Sequence, residues 1–355
     1  MGAPHPFADR EKQDLGVLAM DIGGGTQDIL LWRPHQPVEN CFKLVLPSPT
    51  VVVSRRIERC TARGLTLYLS GNLMGGGACV QAIQQHLAAG LEVYANPRAA
   101  LTIHDNLQYV KDLGITLTEE PPGKSCTVHM GDVDRAALSK ALALFEEKLP
   151  ENIAVAVQDH GFSPQASNRL FRFRQWHDFL QRGGLLEHLA YQEPPDYLTR
   201  MRAVQQDAPG ALLMDTGAAA IMGALCDPLA ASWQDAGVLV VNLGNQHTVA
   251  ALVAKNRVVG IYEHHTGRLS RDKLREHLEK FRQGLLGNEE VFADQGHGCL
   301  FLPEAKEMST FSHVVVTGPR RSLAHGLGYY FAAPHGDMML SGCFGLIRAA
   351  TGSSI

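Results

Sequence analysis

Within Asp21-Ile22-Gly23-Gly24-Gly25-Thr26 the chain sets an acid, three glycines and a hydroxyl side by side. Glycines keep Cβ atoms out of a tight turn and admit positive φ, so backbone N–H groups can converge on an anion while Thr26 adds a donor. A phosphate suits such a turn. Asp21 would repel a bare phosphate; its use beside one is to hold Mg²⁺, directly or through water. A glycine hairpin with a capping Asp is the plainer alternative.

Histidine supplies the second set of reactive groups. There are 16, and many stand beside acids and glycines: His104-Asp105, Asp159-His160-Gly161, Glu263-His264-His265-Thr266-Gly267, Gly296-His297-Gly298 and His335-Gly336-Asp337. Each taken singly is an ordinary surface histidine. As a set they allow two chemistries. Asp159 with His160 could act as a general base toward a hydroxyl or water. Alternatively, His160, Glu263, His264 and His265 could bind a transition metal, because imidazole and carboxylate suit Zn²⁺ or Fe²⁺. Neighbouring side chains on a strand point to opposite faces, so one of His264 and His265 should miss any shared site.

Composition limits the function classes. The 355 residues are 45% hydrophobic and 19% charged, enough for two cores, and the net charge of −4 offers no footprint for nucleic acid or an anionic membrane surface. Small molecules or a partner protein are the expected ligands. Met1 to Leu15 lacks the apolar core of a signal peptide, and no long uncharged apolar run follows, so a cytoplasmic protein is expected. The seven cysteines are scattered and odd in number, which suits reduced thiols and gives no local support for a cluster or zinc knuckle.

The elements that must hold these groups follow from hydrophobic pattern. Val17–Met20 and Ile29–Trp32 read as strands joined by the glycine turn, and Gly64–Ser70 as a strand extending the same antiparallel sheet. Gly75-Gly76-Gly77 opens a helix over Ala78–Leu87, and Asp132–Leu149 reads as a second helix. The uninterrupted apolar run Ile153–Val157 predicts a strand covered on both faces. Gln165–Arg182, rich in Arg and aromatics, reads as a solvated helix face with aromatic anchors, or as a nucleotide contact. The pattern then begins again: a strand ends at Asp215 before the small-residue helix Thr216–Leu225. Val238–Leu243, His247–Ala254 and Val258–Tyr262 follow as three antiparallel strands turning at Gly244-Asn245-Gln246. Val314–Val316 is a strand ending in Thr317-Gly318, and Leu323–Tyr330 and Leu340–Ala350 read as closing helices.

A strand-turn-strand unit followed by helix–strand alternation, occurring twice, resembles the actin, sugar-kinase and Hsp70 superfamily. Met20–Ile29 matches its first phosphate motif through Asp21, Gly23, Gly24, Gly25 and Thr26. Asp215–Leu225 is similar to the first connecting helix, and Asn242-Leu243-Gly244 stands at the second phosphate motif with Asn in place of the usual Asp. Thr317-Gly318-Pro319 stands at the adenosine motif, and Ser341–Ala349, entered through Asp337, at the second connecting helix. More narrowly, the chain resembles a prokaryotic family labelled pyruvate formate-lyase activating enzyme. A radical activase of that kind needs three clustered cysteines, and none are clustered here.

The resemblance implies a two-lobed α/β protein of the actin-like (ribonuclease H-like) ATPase fold, with duplicated mixed sheets flanked by helices. The lobes would be 16–227 and 228–337, with 338–355 returning to the first. It implies ATP and Mg²⁺ as ligands. The phosphates would lie at Gly23, Gly24, Gly25, Thr26, Gly244, Asn245 and Gly318, the metal at Asp21 and Asp215, and the base at Asp159, near His160, Glu263 and His264. The activity would be ATP hydrolysis or phosphoryl transfer to a small substrate. The alternatives are a nucleotide-gated switch for a partner enzyme, or a fold that binds a metal or other small ligand through cleft histidines.

Overall fold

The computed structural model describes residues 16–165, 167–307 and 311–352, so the expectation for Met1 to Leu15 lies outside the described residues. The first sheet runs in the order β3-β2-β1-β8-β10-β9, formed by Phe42–Pro47, Thr26–Trp32, Val17–Ile22, Asn152–Val157, Leu212–Asp215 and Ala190–Tyr191. β1, β2 and β3 are antiparallel, and β8 then joins β1 in parallel. All six residues of β8 are buried, as a run flanked by parallel strands and covered on both faces requires.

The second large sheet repeats this plan. Its order is β14-β13-β12-β11-β15-β16, formed by Gly298–Phe301, Arg257–His265, His247–Ala254, Val238–Leu243, His313–Thr317 and Tyr330–Phe331. Again three antiparallel strands precede a parallel partner, β15 beside β11. Two sheets that share a five-strand order, with β9 and β14 added at opposite edges, each flanked by helices, make the actin-like two-lobed architecture.

Helix Thr216–Ala224 follows β10, and helix Ser341–Thr351 follows the second sheet. Asp215 starts the former by accepting hydrogen bonds from the backbone N–H groups of Gly217 (3.0 Å) and Ala218 (3.2 Å). The two helices cross where neither can carry a side chain. A Cβ on Gly223 would overlap the Ser341 carbonyl, and one on Gly345 would overlap the Ala219 carbonyl. Small residues thus let the backbones touch, and a single apolar core runs through both helices into both sheets.

Three expectations are corrected. The strand at Gly64–Ser70 is β4, Leu67–Gly71, but helix Pro49–Ala62 intervenes and sends it into a separate sheet. There it lies parallel to β5 (Val93–Ala95) and β7 (Cys126–Met130), with β6 (Ile115–Leu117) beyond β5. Leu323–Tyr330 is no helix: Gly326 and Gly328 take φ of 82° and 75°, and the chain enters β16 instead. Cys60 and Cys126 form a disulfide, so the thiols are not all free. No described helix is long and apolar enough to cross a membrane.

Candidate functional site

Each large sheet presents a tight turn between its first two strands, and the two turns meet tip to tip. The first closes with the Gly23 N–H donating to the Thr26 carbonyl at 2.9 Å, the second with Gly244 donating to His247 at 3.0 Å. Glycine is needed at the meeting point: a Cβ on Gly24 would lie 2.5 Å from the Gln246 side chain, and one on Gly25 the same distance from that of Asn245. The contact divides the cleft into two cavities that share Gly23, Thr216, Asn242, Gly244 and Asn245.

The smaller cavity, about 60 Å³, gathers residues from five separate segments: Asp21, Thr26, Asn245, Gly318 and Ser341 among them. Asp21 and Asp28 face each other across β1 and β2. Burial, opposed by a hydrogen bond from Thr216 (2.6 Å) and reinforced by Asp215, pushes Asp21 up to about 7. Burial, with Asp21 and Asp337 nearby, pushes Asp28 up to about 8. Neither acid has a salt bridge among the described residues, and one Asp28 oxygen has no hydrogen-bond partner. Gly318 closes the wall at φ 101°, where a Cβ would strike the Asn242 side chain and the Leu243 carbonyl.

The larger cavity, about 350 Å³, lies on the other side of the turn contact. Gly75, Gly76 and Gly77 from the small parallel sheet line it, with Thr102, Asp132, Gln158, His160, Arg200 and His247. Arg200 donates to both Asp132 oxygens, at 2.8 and 2.9 Å, and to the Gln158 carbonyl at 2.8 Å. This fork ties the inserted sheet to the first lobe.

Beneath this wall is a buried charge network. Arg172, expected on a solvated face, is 4% exposed and lies between Asp215 (2.7 Å) and Glu263 (3.1 Å). Glu263 also accepts from the Trp176 indole at 2.6 Å and from Gln158 at 2.9 Å. Burial alone would raise the Glu263 carboxyl, but Arg172, His297, His247 and the indole outweigh it and hold it well below the carboxylate range.

Three imidazoles adjoin Glu263. His160, His247 and His297 each offer a ring nitrogen, and the three nitrogens lie within 4.8 Å of one another. Burial, with the Arg172 charge, pushes His160 down to about 3; burial pushes His297 to about 4 against the pull of Glu263. His247 falls well below its ordinary value through burial and His160.

Several expected roles change. Asp159 is held in place: one oxygen accepts from the Gly161 N–H at 2.8 Å and the other from the Met201 N–H at 2.9 Å, while burial raises its carboxyl. The Asp215 carboxylate is engaged by Arg172 and by its own helix, so it does not stand open to a metal. His264 misses the cavity, turning to Asp294 (3.1 Å) on the opposite side of β13. His265 is the member of that pair beside the cluster, its ring 4.9 Å from His247. Asp28, His247 and His297 were not assigned to the site from sequence. The hairpin register alone sets His247 opposite His265 and Asp28 opposite Asp21, and that pairing was the available signal.

The sequence matches the family described as "Putative pyruvate format-lyase activating enzyme (DUF1786)" over residues 74–323. The chain belongs to this family. That description names an activating enzyme, yet no three cysteines converge among the described residues. No curated protein matches the DUF1786 chain. Among solved structures it is similar to ethanolamine utilization protein EutJ from Carboxydothermus hydrogenoformans, at 11% identity and TM-score 0.36, covering 94% of this chain and 89% of that one. It is also similar to inorganic polyphosphate/ATP-glucomannokinase from Arthrobacter sp. strain KM, at 12% and 0.37, covering 95% and 97%. ROK hexokinase from Thermus thermophilus follows at 12% and 0.31, covering 94% and 98%. The fold itself rests on the doubled strand order.

Proposed function

We propose that the protein binds a nucleoside triphosphate with Mg²⁺ between the facing turns and works on a small molecule held in the larger cavity. The observation that carries this reading is the pair Asp21 and Asp28. Two facing carboxyls, Asp28 buried and Asp21 half-buried, with no salt-bridge partner among the described residues, are costly when both are ionised, and a divalent cation is the partner they lack. Around them Gly23, Thr26, Gly244, Asn245 and Gly318 line the same cavity and would receive the phosphates. A Mg²⁺ ion held there would neutralise phosphate oxygens. The metal pair is then Asp21 with Asp28, in place of Asp21 with Asp215.

Entry of a triphosphate requires the Asn245 and Gln246 side chains to leave the glycines they cover, so binding goes with separation and reclosure of the lobes. The closing bodies are 16–227 and 228–337, with 338–355 carrying the second connecting helix. A melting experiment with ATP and Mg²⁺ tests the reading. At a hundredfold excess over Kd, stabilisation of about 2.7 kcal/mol is expected. Asp21→Asn should lose the Mg²⁺-dependent part of the shift. No shift in the wild type, or an undiminished shift in the variant, would overturn it.

A second reading is favoured by the hydrogen bonds that hold both Asp159 oxygens, the expected base, to backbone N–H groups. In it the protein is a nucleotide-gated switch whose closure is read by a partner enzyme. ADP release stimulated by a small substrate supports transfer; release stimulated only by a protein partner supports the switch.

A further inference from the structure

The geometry points to a second metal centre, distinct from the acid pair: a divalent transition ion, zinc by its ligand chemistry, held by His160, His247 and His297 with one position open to the larger cavity. The three rings come from three different elements. His160 lies on the loop after β8, His247 opens β12, and His297 immediately precedes β14. Their convergence is therefore a property of the folded cleft rather than of a local motif.

Burial makes the cluster informative. His297 is 1% exposed and neither of its ring nitrogens has a hydrogen-bond partner among the described residues; the same holds for His247 Nδ1. Buried polar nitrogens without partners are costly, and a metal ion would satisfy all three rings at once. Tetrahedral ligation at about 2.0–2.1 Å sets ligand nitrogens roughly 3.4 Å apart. The present spacing, within 4.8 Å, closes to that with side-chain adjustment of about an ångström.

Arg172 divides its charge between Asp215 and Glu263, while Arg169 donates to the Gly296 carbonyl (2.9 Å) next to His297, so it is the partnerless ring nitrogens, rather than net charge, that call for a cation. Glu263 is the carboxylate nearest the rings, its Oε1 3.7 Å from His247 Nδ1 and not hydrogen-bonded to it, and its backbone carbonyl accepts the backbone N–H of His297 at 2.9 Å. Three imidazoles, no thiolate and an open side favour Zn²⁺ bound with a water or small oxyanion in the fourth position.

The test needs no nucleotide, so it is separate from the reading above. Chelator-stripped protein is titrated with Zn²⁺ by calorimetry and with Co²⁺ by visible absorption. One ion per chain and the intense d–d bands of tetrahedral cobalt are expected. His247→Ala and His297→Ala should each weaken Zn²⁺ binding by at least about 100-fold, while His177→Ala, on an exposed helix face, should leave it unchanged. X-ray absorption of the zinc-loaded wild type guards against variants that fail to fold: imidazole scattering with no sulfur is expected. Absence of stoichiometric binding, a sulfur shell, or equal affinity in the His247 and His297 variants would overturn the assignment.

Discussion

The same row of the two large sheets carries different chemistry. Across β1, β2 and β3 it reads Asp21, Asp28, Val45; across β11, β12 and β13 it reads Asn242, Val249, Glu263. The backbone plan is repeated, but in the second lobe the acid stands on the third strand of the row instead of the first two. Its surroundings differ as well. Glu263 is held ionised by Arg172, the Trp176 indole and Gln158, whereas Asp21 and Asp28 are raised and lack a cation. A duplicated frame can thus keep its turns and helices while one copy builds a finished ion network and the other leaves charge for a ligand to complete.

The largest test breaks the finished side. Glu263→Ala would leave Arg172 buried with only Asp215 as an ionic partner and the Trp176 N–H unsatisfied. Removing one member of a buried ion pair costs about 3–5 kcal/mol. Urea unfolding should show a loss of that size, and a change below about 1 kcal/mol would mean that the network contributes specificity without stability. A somewhat smaller loss is expected where the two copies agree. Gly223→Ala forces a methyl against the Ser341 carbonyl, and overpacking of this kind costs about 1–3 kcal/mol. Because backbone meets backbone there, the upper end is expected, with the lobes shifted relative to one another in small-angle scattering.

How legible this contrast was in the sequence depends on the range of the interactions. The hairpins around Gly23–Gly25 and Gly244 were readable because alternation and turn residues act locally, and Thr216–Ala224 and Ser341–Thr351 because small residues recur at helical spacing. The pairing of the small parallel sheet was not: its strands span three to five residues and pair across long connections. Arg172 read as a surface charge because its partners, Asp215 and Glu263, are 43 and 91 residues away, 215 − 172 and 263 − 172. The histidines were legible as a set, but only the register of β12 and β13 distinguishes His265, beside His247, from His264, which leaves with Asp294.

The unfinished side should reveal itself in pH dependence. The folded values of Asp21 and Asp28, about 7 and about 8, lie above the ordinary 3.8. Below pH 4 both states carry the protons and the acids contribute nothing. As pH rises from about 4 to about 8 the unfolded chain ionises first, the folded state binds more protons, and stability falls; above the folded values it levels off. Denaturant unfolding across this range should show the decline. Asp28→Asn should flatten part of it, and millimolar Mg²⁺ should offset it at pH 8 in the wild type alone. A pH-independent wild type would show that the acids are already compensated.

The smallest expected effect comes from making the second lobe more like the first. Asn242→Asp sets a carboxylate at the position equivalent to Asp21, next to Gly318 and the small cavity. Asn242 is only half-buried, so solvent screens the new charge, and a loss of about 0.5–1 kcal/mol at pH 8 is expected without metal. Mg²⁺ should restore most of that loss if the new carboxylate joins the acids of the first lobe around one ion. If Mg²⁺ leaves the variant and the wild type equally stabilised, the two turns do not share a cation. The charge difference between the lobes would then be a matter of packing alone.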